Sequence, residues 1–148
     1  MINKIIKAIS IVINQTFNVN GANYLIYAND VEQALNPPAF IIQIIQPSKT
    51  PYLKSRYLKV NPFDIIYIPA VVDEGNNLHL HDVAEKLMDC LDFITLLDND
   101  VLHGTNMRYE IVDDVLHFFV NYDHFMIDDK QEDSMKDVET DIGVIEGE

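Results

Sequence analysis

Apolar positions along the chain change period several times, and each change marks an element. Ile2, Ile5, Ile6, Ile9, Val12 and Ile13 recur three and four apart, with Asn3, Lys7, Ser10 and Asn14 on much of the other side. That spacing predicts an amphipathic helix. "NVNGAN" then reads as loop and "YLIYA" as a short strand. "DVEQALNPP" reads as a turn or brief helix ended by Pro37 and Pro38. "AFIIQIIQP" is a β stretch stopped by Pro47, and "FDIIYIPA" is another strand between Pro62 and Pro69. Between them, "SKTPYLKSRYLKVNP" is a polar, basic connection, with its second half a candidate for extended chain.

The helical period returns in "LHLHDVAEKLMDCLDFITLL", expected to be helical throughout. There Leu80, Val83, Ala84, Leu87, Leu91 and Ile94 form a stripe opposite Asp82, Glu85, Asp89 and Asp92. "MRYEIVDDVLHFFVNY" predicts a hairpin turning at Asp113–Asp114, with Leu116, Phe118, Val120 and Tyr122 on one face. The order is helix, two or three strands, helix, hairpin. The fold expected is α+β: one mostly antiparallel sheet with two helices packed on one face.

Two strands are apolar on both sides, "AFIIQIIQ" and "FDIIYIP". Two helices cover one face of a sheet, and a wide apolar second face calls for another cover. A second subunit meets that need, which makes Ile41, Ile45, Ile66 and Ile68 the expected subunit interface. Irregular segments folded over the face are the alternative. Of the variants Ile41 and Ile66 to a charged residue, one is expected to face the core and unfold.

Charge then separates the end of the chain from the rest. Residues 128–148 carry nine acids against Lys130 and Lys136, a net of −7 and half of the −14 of the whole 148-residue chain. The expected organisation is a domain over residues 1–127 and an acidic arm over residues 128–148, flexible until bound. Within the arm, Ile142, Val144 and Ile145 retain enough β-former to add as a strand to a partner's sheet edge. The acidic balance opposes specific nucleic-acid binding. One cysteine, Cys90, permits no internal disulfide, so a reducing cytoplasm is expected. The N-terminal apolar run is too short to span a bilayer and lacks a signal cleavage site, and no membrane contact is expected.

Candidate chemistry is sparse. His79, His81 and Asp82 resemble a metal-binding start, but residues two apart on a helix point about 200° apart, which opposes chelation. Cys90 on a helix reads as a small half-buried side chain. No nucleophile elbow, phosphate-cradling glycine loop or zinc-protease motif is present. No enzyme activity, metal or cofactor is expected. The one cationic cluster is Lys49, Lys54, Arg56 and Lys59 interleaved with Tyr52 and Tyr57. It is either a solvated loop or a contact for an acidic partner.

Several runs together resemble the tail terminator family of phages and of prophage-derived tail-like particles in Gram-positive bacteria. They are "YANDVEQALNPPAFIIQIIQPSK", "RYLKVNPFDIIYIP" and "LHGTNMRYEIVDDVLHFFVNYDHF". Within them Val31-Glu32-Gln33, Pro38-Ala39-Phe40, Pro47, Arg56-Tyr57, Phe63 to Pro69, Gly104, Met107 to Glu110 and Leu116 to Tyr122 carry the likeness. The chain departs from the family pattern at Ala34, where glycine is usual, and in its acidic arm. The resemblance implies a structural protein assembled in the host bacterial cytoplasm into a virion tail or tail-like particle. It implies a ring, commonly of six subunits, that caps the head-proximal end of the tail tube and ends its polymerisation. The implied partners are further copies of itself, the tube protein, a neck or collar protein and, in a contractile tail, the last sheath ring. Lys49, Tyr52, Lys54, Arg56 and Lys59 are the expected tube or sheath contact. Two other readings compete: a neck or tail-completion protein of similar fold, and an acidic DNA mimic.

Overall fold

The computed structural model describes residues 1–28, 36–71 and 77–127. In chain order the elements are α1 (Ile2–Phe17), β1 (Leu25–Ala28), β2 (Ala39–Ile44), β3 (Ser48–Pro51), β4 (Arg56–Val60) and β5 (Pro62–Ile68). They continue with α2 (Leu78–Cys90), β6 (Phe93–Thr95), β7 (Val101–Val112), β8 (Val115–Tyr122) and β9 (His124–Ile127). The described residues divide into two compact units, one within Met1–Pro47 and Asn61–Asp123 and the other of Ser48–Val60 with residues 124–127. The architecture is α+β. The sequence-based expectation of a single sheet is corrected, because the described strands make two.

The larger unit holds a six-stranded mixed sheet in the order β1-β2-β5-β8-β7-β6. Only β1 and β2 run parallel, and the other neighbours are antiparallel. The period-two pattern of each strand puts Phe40 and Ile42, Phe63, Ile65 and Tyr67, and Leu116, Phe118, Val120 and Tyr122 in one alternate set. These side chains are at most 1% exposed and share one buried cluster with Ile5, Ile6, Ile9 and Ile13 of α1 and Leu80, Val83, Ala84 and Leu87 of α2. The stripes expected from helical spacing are therefore the ones buried. Aromatic rings tie α1 to the sheet, with the Phe17 and Phe40 centroids 4.8 Å apart.

Local chemistry fixes the ends of these elements. Asn18 closes α1 and also clamps the entry to β1: its Oδ1 accepts from the Tyr24 backbone N at 2.6 Å, and its Nδ2 donates to the Tyr24 carbonyl at 3.0 Å. The β7–β8 hairpin turns at Asp113 (φ 51°) and Asp114 (φ 61°), as expected, in the left-handed geometry that two-residue hairpins need.

The second helix ends earlier than its apolar stripe suggests. It stops at Cys90, and residues Phe93–Thr95 form β6 instead. Leu91 and Ile94 are buried as the stripe requires, at 0% and 1% exposure, but so is Leu96 at 2%, and the step from 94 to 96 is a strand's. The last helical bond and two further bonds fix this end. The Leu91 N–H donates back to the Leu87 carbonyl at 3.0 Å, the Gly104 N–H donates to the Asp92 carbonyl at 2.7 Å, and the buried Tyr122 hydroxyl donates to the Leu91 carbonyl at 2.6 Å.

The smaller unit contains a three-stranded antiparallel sheet, β3-β4-β9. The polar connection expected between two strands is thus itself a hairpin. Its tip is closed by the Tyr52 N–H on the Arg56 carbonyl (2.9 Å) and the Arg56 N–H on the Leu53 carbonyl (3.0 Å). Lys54 takes the left-handed conformation there, φ 56°. The third strand comes from beyond β8, so no local pattern announced it.

Candidate assembly surfaces

The two sheets offer one surface each, and they differ in chemistry. On the six-stranded sheet the second alternate set of side chains lies outside the buried cluster. Register brings Tyr27, Ile41, Ile66, His117 and Glu110 into one cross-strand row. The next row is Gln43, Asp64, Phe119 and Arg108. Ile41 is 7% exposed, Ile66 and Ile68 are half-buried, and Ile45, just past β2, is 36% exposed. Ile41 and Ile66 are direct partners. Directly paired residues share a face, yet Ile41 is buried and Ile66 only half-buried, so of the two it is Ile41 whose charged variant is expected to unfold. Both belong to the second set.

Charged groups sit among these apolar side chains. Asp64, only 8% exposed, lies with its Oδ2 3.0 Å from His117 Nδ1. Its Oδ1 is buried without a hydrogen-bond partner among the described residues. Burial pushes its carboxyl above the ordinary value of 3.8, against the opposing pull of His117. The Arg108 guanidinium stacks 4.8 Å above the Phe119 ring. This polar row is invisible in the sequence because its members come from strands far apart in the chain.

The three-stranded sheet gathers the cationic residues. Lys49 pairs across from Lys59, and Lys59 across from His124. The Lys49 ammonium rests 4.3 Å over the Tyr57 ring. Arg56, Leu58, Phe125 and Ile127 occupy the alternate positions, with Arg56 paired to Ile127 and Leu58 to Phe125. Tyr52 packs its ring 5.0 Å from that of Phe125. Lys54, at the hairpin tip, is exposed. The sequence singled out Lys49, Tyr52, Lys54, Arg56 and Lys59 as a cluster, and the structure places all five in one hairpin. It did not single out His124 and Phe125. Both are contributed by β9 from the far end of the chain.

The remaining candidates have local partners. His79 Nε2 lies 2.7 Å from the Tyr67 hydroxyl, and His81 Nδ1 lies 2.7 Å from the Tyr109 hydroxyl. Each histidine therefore engages a different tyrosine, on different strands. Burial pushes the Tyr67 hydroxyl well above the ordinary tyrosine value. Cys90 is half-buried at the end of α2, and burial raises its thiol too. That shift disfavours the thiolate a nucleophile needs. Ile142, Val144 and Ile145, the departure at Ala34 and the likeness at Val31-Glu32-Gln33 lie outside the described residues.

The candidate contact surfaces are thus the second, partly buried face of the six-stranded sheet and the exposed cationic small sheet, while the histidines are tyrosine-bound. A family model described as "Phage tail terminator protein" matches residues 4–134. The chain belongs to the phage tail terminator family. The match covers both units and continues past Ile127. No curated protein matches the chain. A tail terminator has a structural role in the phage tail and works through contacts with other tail components, which accords with what the two surfaces offer. No helix among the described residues is long and apolar enough to cross a membrane.

Proposed function

We propose that this tail terminator forms a closed ring, of six subunits, on the head-proximal end of the tail tube. The ring stops tube growth and joins the tail to the neck or collar, and in a contractile tail it also holds the last ring of sheath. A head-to-tail contact that closes on itself leaves no free copy of its own surface, so assembly halts. The task needs shape and adhesion and no catalytic group.

The observation that carries this reading is the second alternate set of the six-stranded sheet. Both helices share a single buried cluster with the first set, which supports packing on one side only. The second set keeps an apolar row through Tyr27, Ile41 and Ile66, with Ile68 and Ile45 beside it. We assign Ile41, Ile45, Ile66 and Ile68 to the subunit contact. The basic hairpin with Lys49, Tyr52, Lys54, Arg56 and Lys59 is assigned to acidic neighbours in the particle, with tube or sheath among them. The acidic arm, with Ile142, Val144 and Ile145, is assigned to a neighbouring subunit in the particle.

Paired variants on adjacent residues of β5 test the subunit contact. Ile65 is fully buried in the cluster, so Ile65→Asp is expected to unfold the protein, at a cost of several kcal/mol. Ile66→Asp lies on the other set and is expected to leave a folded monomer. Sedimentation velocity reads both: rings for the native chain, a folded single subunit for Ile66→Asp. Rings of unchanged size from Ile66→Asp would place the contact elsewhere.

A further inference from the structure

We propose that the acidic segment 128–148 of one copy docks on the cationic face of the three-stranded sheet of the adjacent copy, around Lys49, Lys59 and His124. The inference rests on the ring reading, because it requires copies held side by side. The sheet lacks a core of its own. None of its described residues is buried, and Tyr52, Leu53, Phe125, Met126 and Ile127 are each at least 43% exposed. A small sheet with no buried face is marginal by itself and gains from a cover.

Its charge is one-sided. Residues 48–60 and 124–127 contain Lys49, Lys54, Arg56 and Lys59 and no acid, within a chain of net −14. The register then aligns like charges, Lys49 beside Lys59, with His124 next in the row. Like charges directly across a sheet are destabilising unless something anionic lies over them. Lys49 has the Tyr57 ring, but none of the four cations forms an ion pair with a described residue.

The complementary charge is on the same chain. Residues 128–148 carry nine acids against two lysines and follow directly on β9. β9 runs from His124, in the cationic row, to Ile127, opposite Arg56. β9 therefore points away from the row at Ile127, and an arm covering its own row would have to fold back. An extended segment of this length reaches up to roughly 70 Å, well beyond the width of a domain this size. In a closed ring every sheet meets one such segment, held at high effective concentration. The opposite face, with Arg56, Leu58, Phe125 and Ile127, is left for the tube or sheath.

The test uses the full chain. Unlabelled and ¹⁵N-labelled preparations are mixed until native mass spectrometry shows mixed-mass oligomers. A carbodiimide then joins lysine amines to any carboxylate in contact. Mixed-label peptides linking Lys49 or Lys59 to acids of residues 128–148 are expected, several-fold more abundant than links from Lys7 or Lys86 to the same segment. They should fall several-fold as salt rises from about 0.05 to about 0.5 M, because the pairing is electrostatic. Same-label links alone would mean that each arm covers its own sheet, and overturn the proposal. So would links no commoner than those of Lys7 and Lys86. If mass spectrometry shows only single copies, the ring reading fails and the docking with it. Rings without these links refute the docking alone.

Discussion

Asp64 shows how a single side chain records competing forces. It sits 8% exposed on the second set of the six-stranded sheet, with Ile66 two residues on and His117 at 3.0 Å. Burial is the largest influence on its carboxyl and raises its pKa. His117 pulls the other way, and nearby Glu110 adds to the rise. The native state therefore holds the proton more tightly than the unfolded chain does. Asp64 accordingly contributes stability that is fully present below its ordinary 3.8 and is lost as pH rises through the raised native value. Asp64→Asn, which keeps an oxygen for His117, is expected to be more stable than the native chain at pH 7. That advantage should shrink as pH falls through the native value and vanish below 3.8. Urea midpoints measured from neutral to acid pH follow it, and a variant less stable at pH 7 would show that the His117 contact outweighs burial.

Where elements meet, Gly104 sets how closely β7 approaches the end of α2. A Cβ at that position would lie 2.7 Å from the Leu91 carbonyl oxygen and 2.9 Å from both Met107 Cε and Val120 Cγ2. The side chains can shift, but the carbonyl is already held by the Tyr122 hydroxyl. Gly104→Ala is expected to cost about 1–3 kcal/mol, as overpacking does, and a lowered denaturant midpoint at unchanged slope would register it. A midpoint equal to the native one would mean that this approach is looser than the geometry states. Gly104 also illustrates what was legible in the sequence. Its place in the family likeness was readable, while its physical task depends on a carbonyl from another element. Both helices, the β2 and β5 strands and the Asp113–Asp114 hairpin were readable because each carries its own period or turn chemistry. The end of α2 was not, since the spacing from Leu91 to Ile94 suits a helix as well as the break that occurs. The three-stranded sheet was half-readable. Its basic residues are adjacent in sequence, but β9 pairs with β4 across most of the second half of the chain. The Asp64–His117 pair, 53 residues apart, left no local trace at all.

At the scale of the whole molecule, the uneven distribution of charge and apolar surface gives the account its form. The six-stranded sheet buries one set of side chains and carries a partly buried apolar row on the other. The small sheet is cationic and uncored, and the last 21 residues hold half of the chain's net negative charge. Each of these features would burden a solitary protein and suits one that is completed by neighbours. Membership of the tail terminator family supplies the setting, and the closed ring at the tube end is the central claim. Electron microscopy of tail tube protein polymerised with and without the native chain tests it most directly. The account predicts a ring at one end of each tube and a tube length that stops increasing once the chain is added. Tubes that keep growing at both ends, with no added density at either, would contradict it.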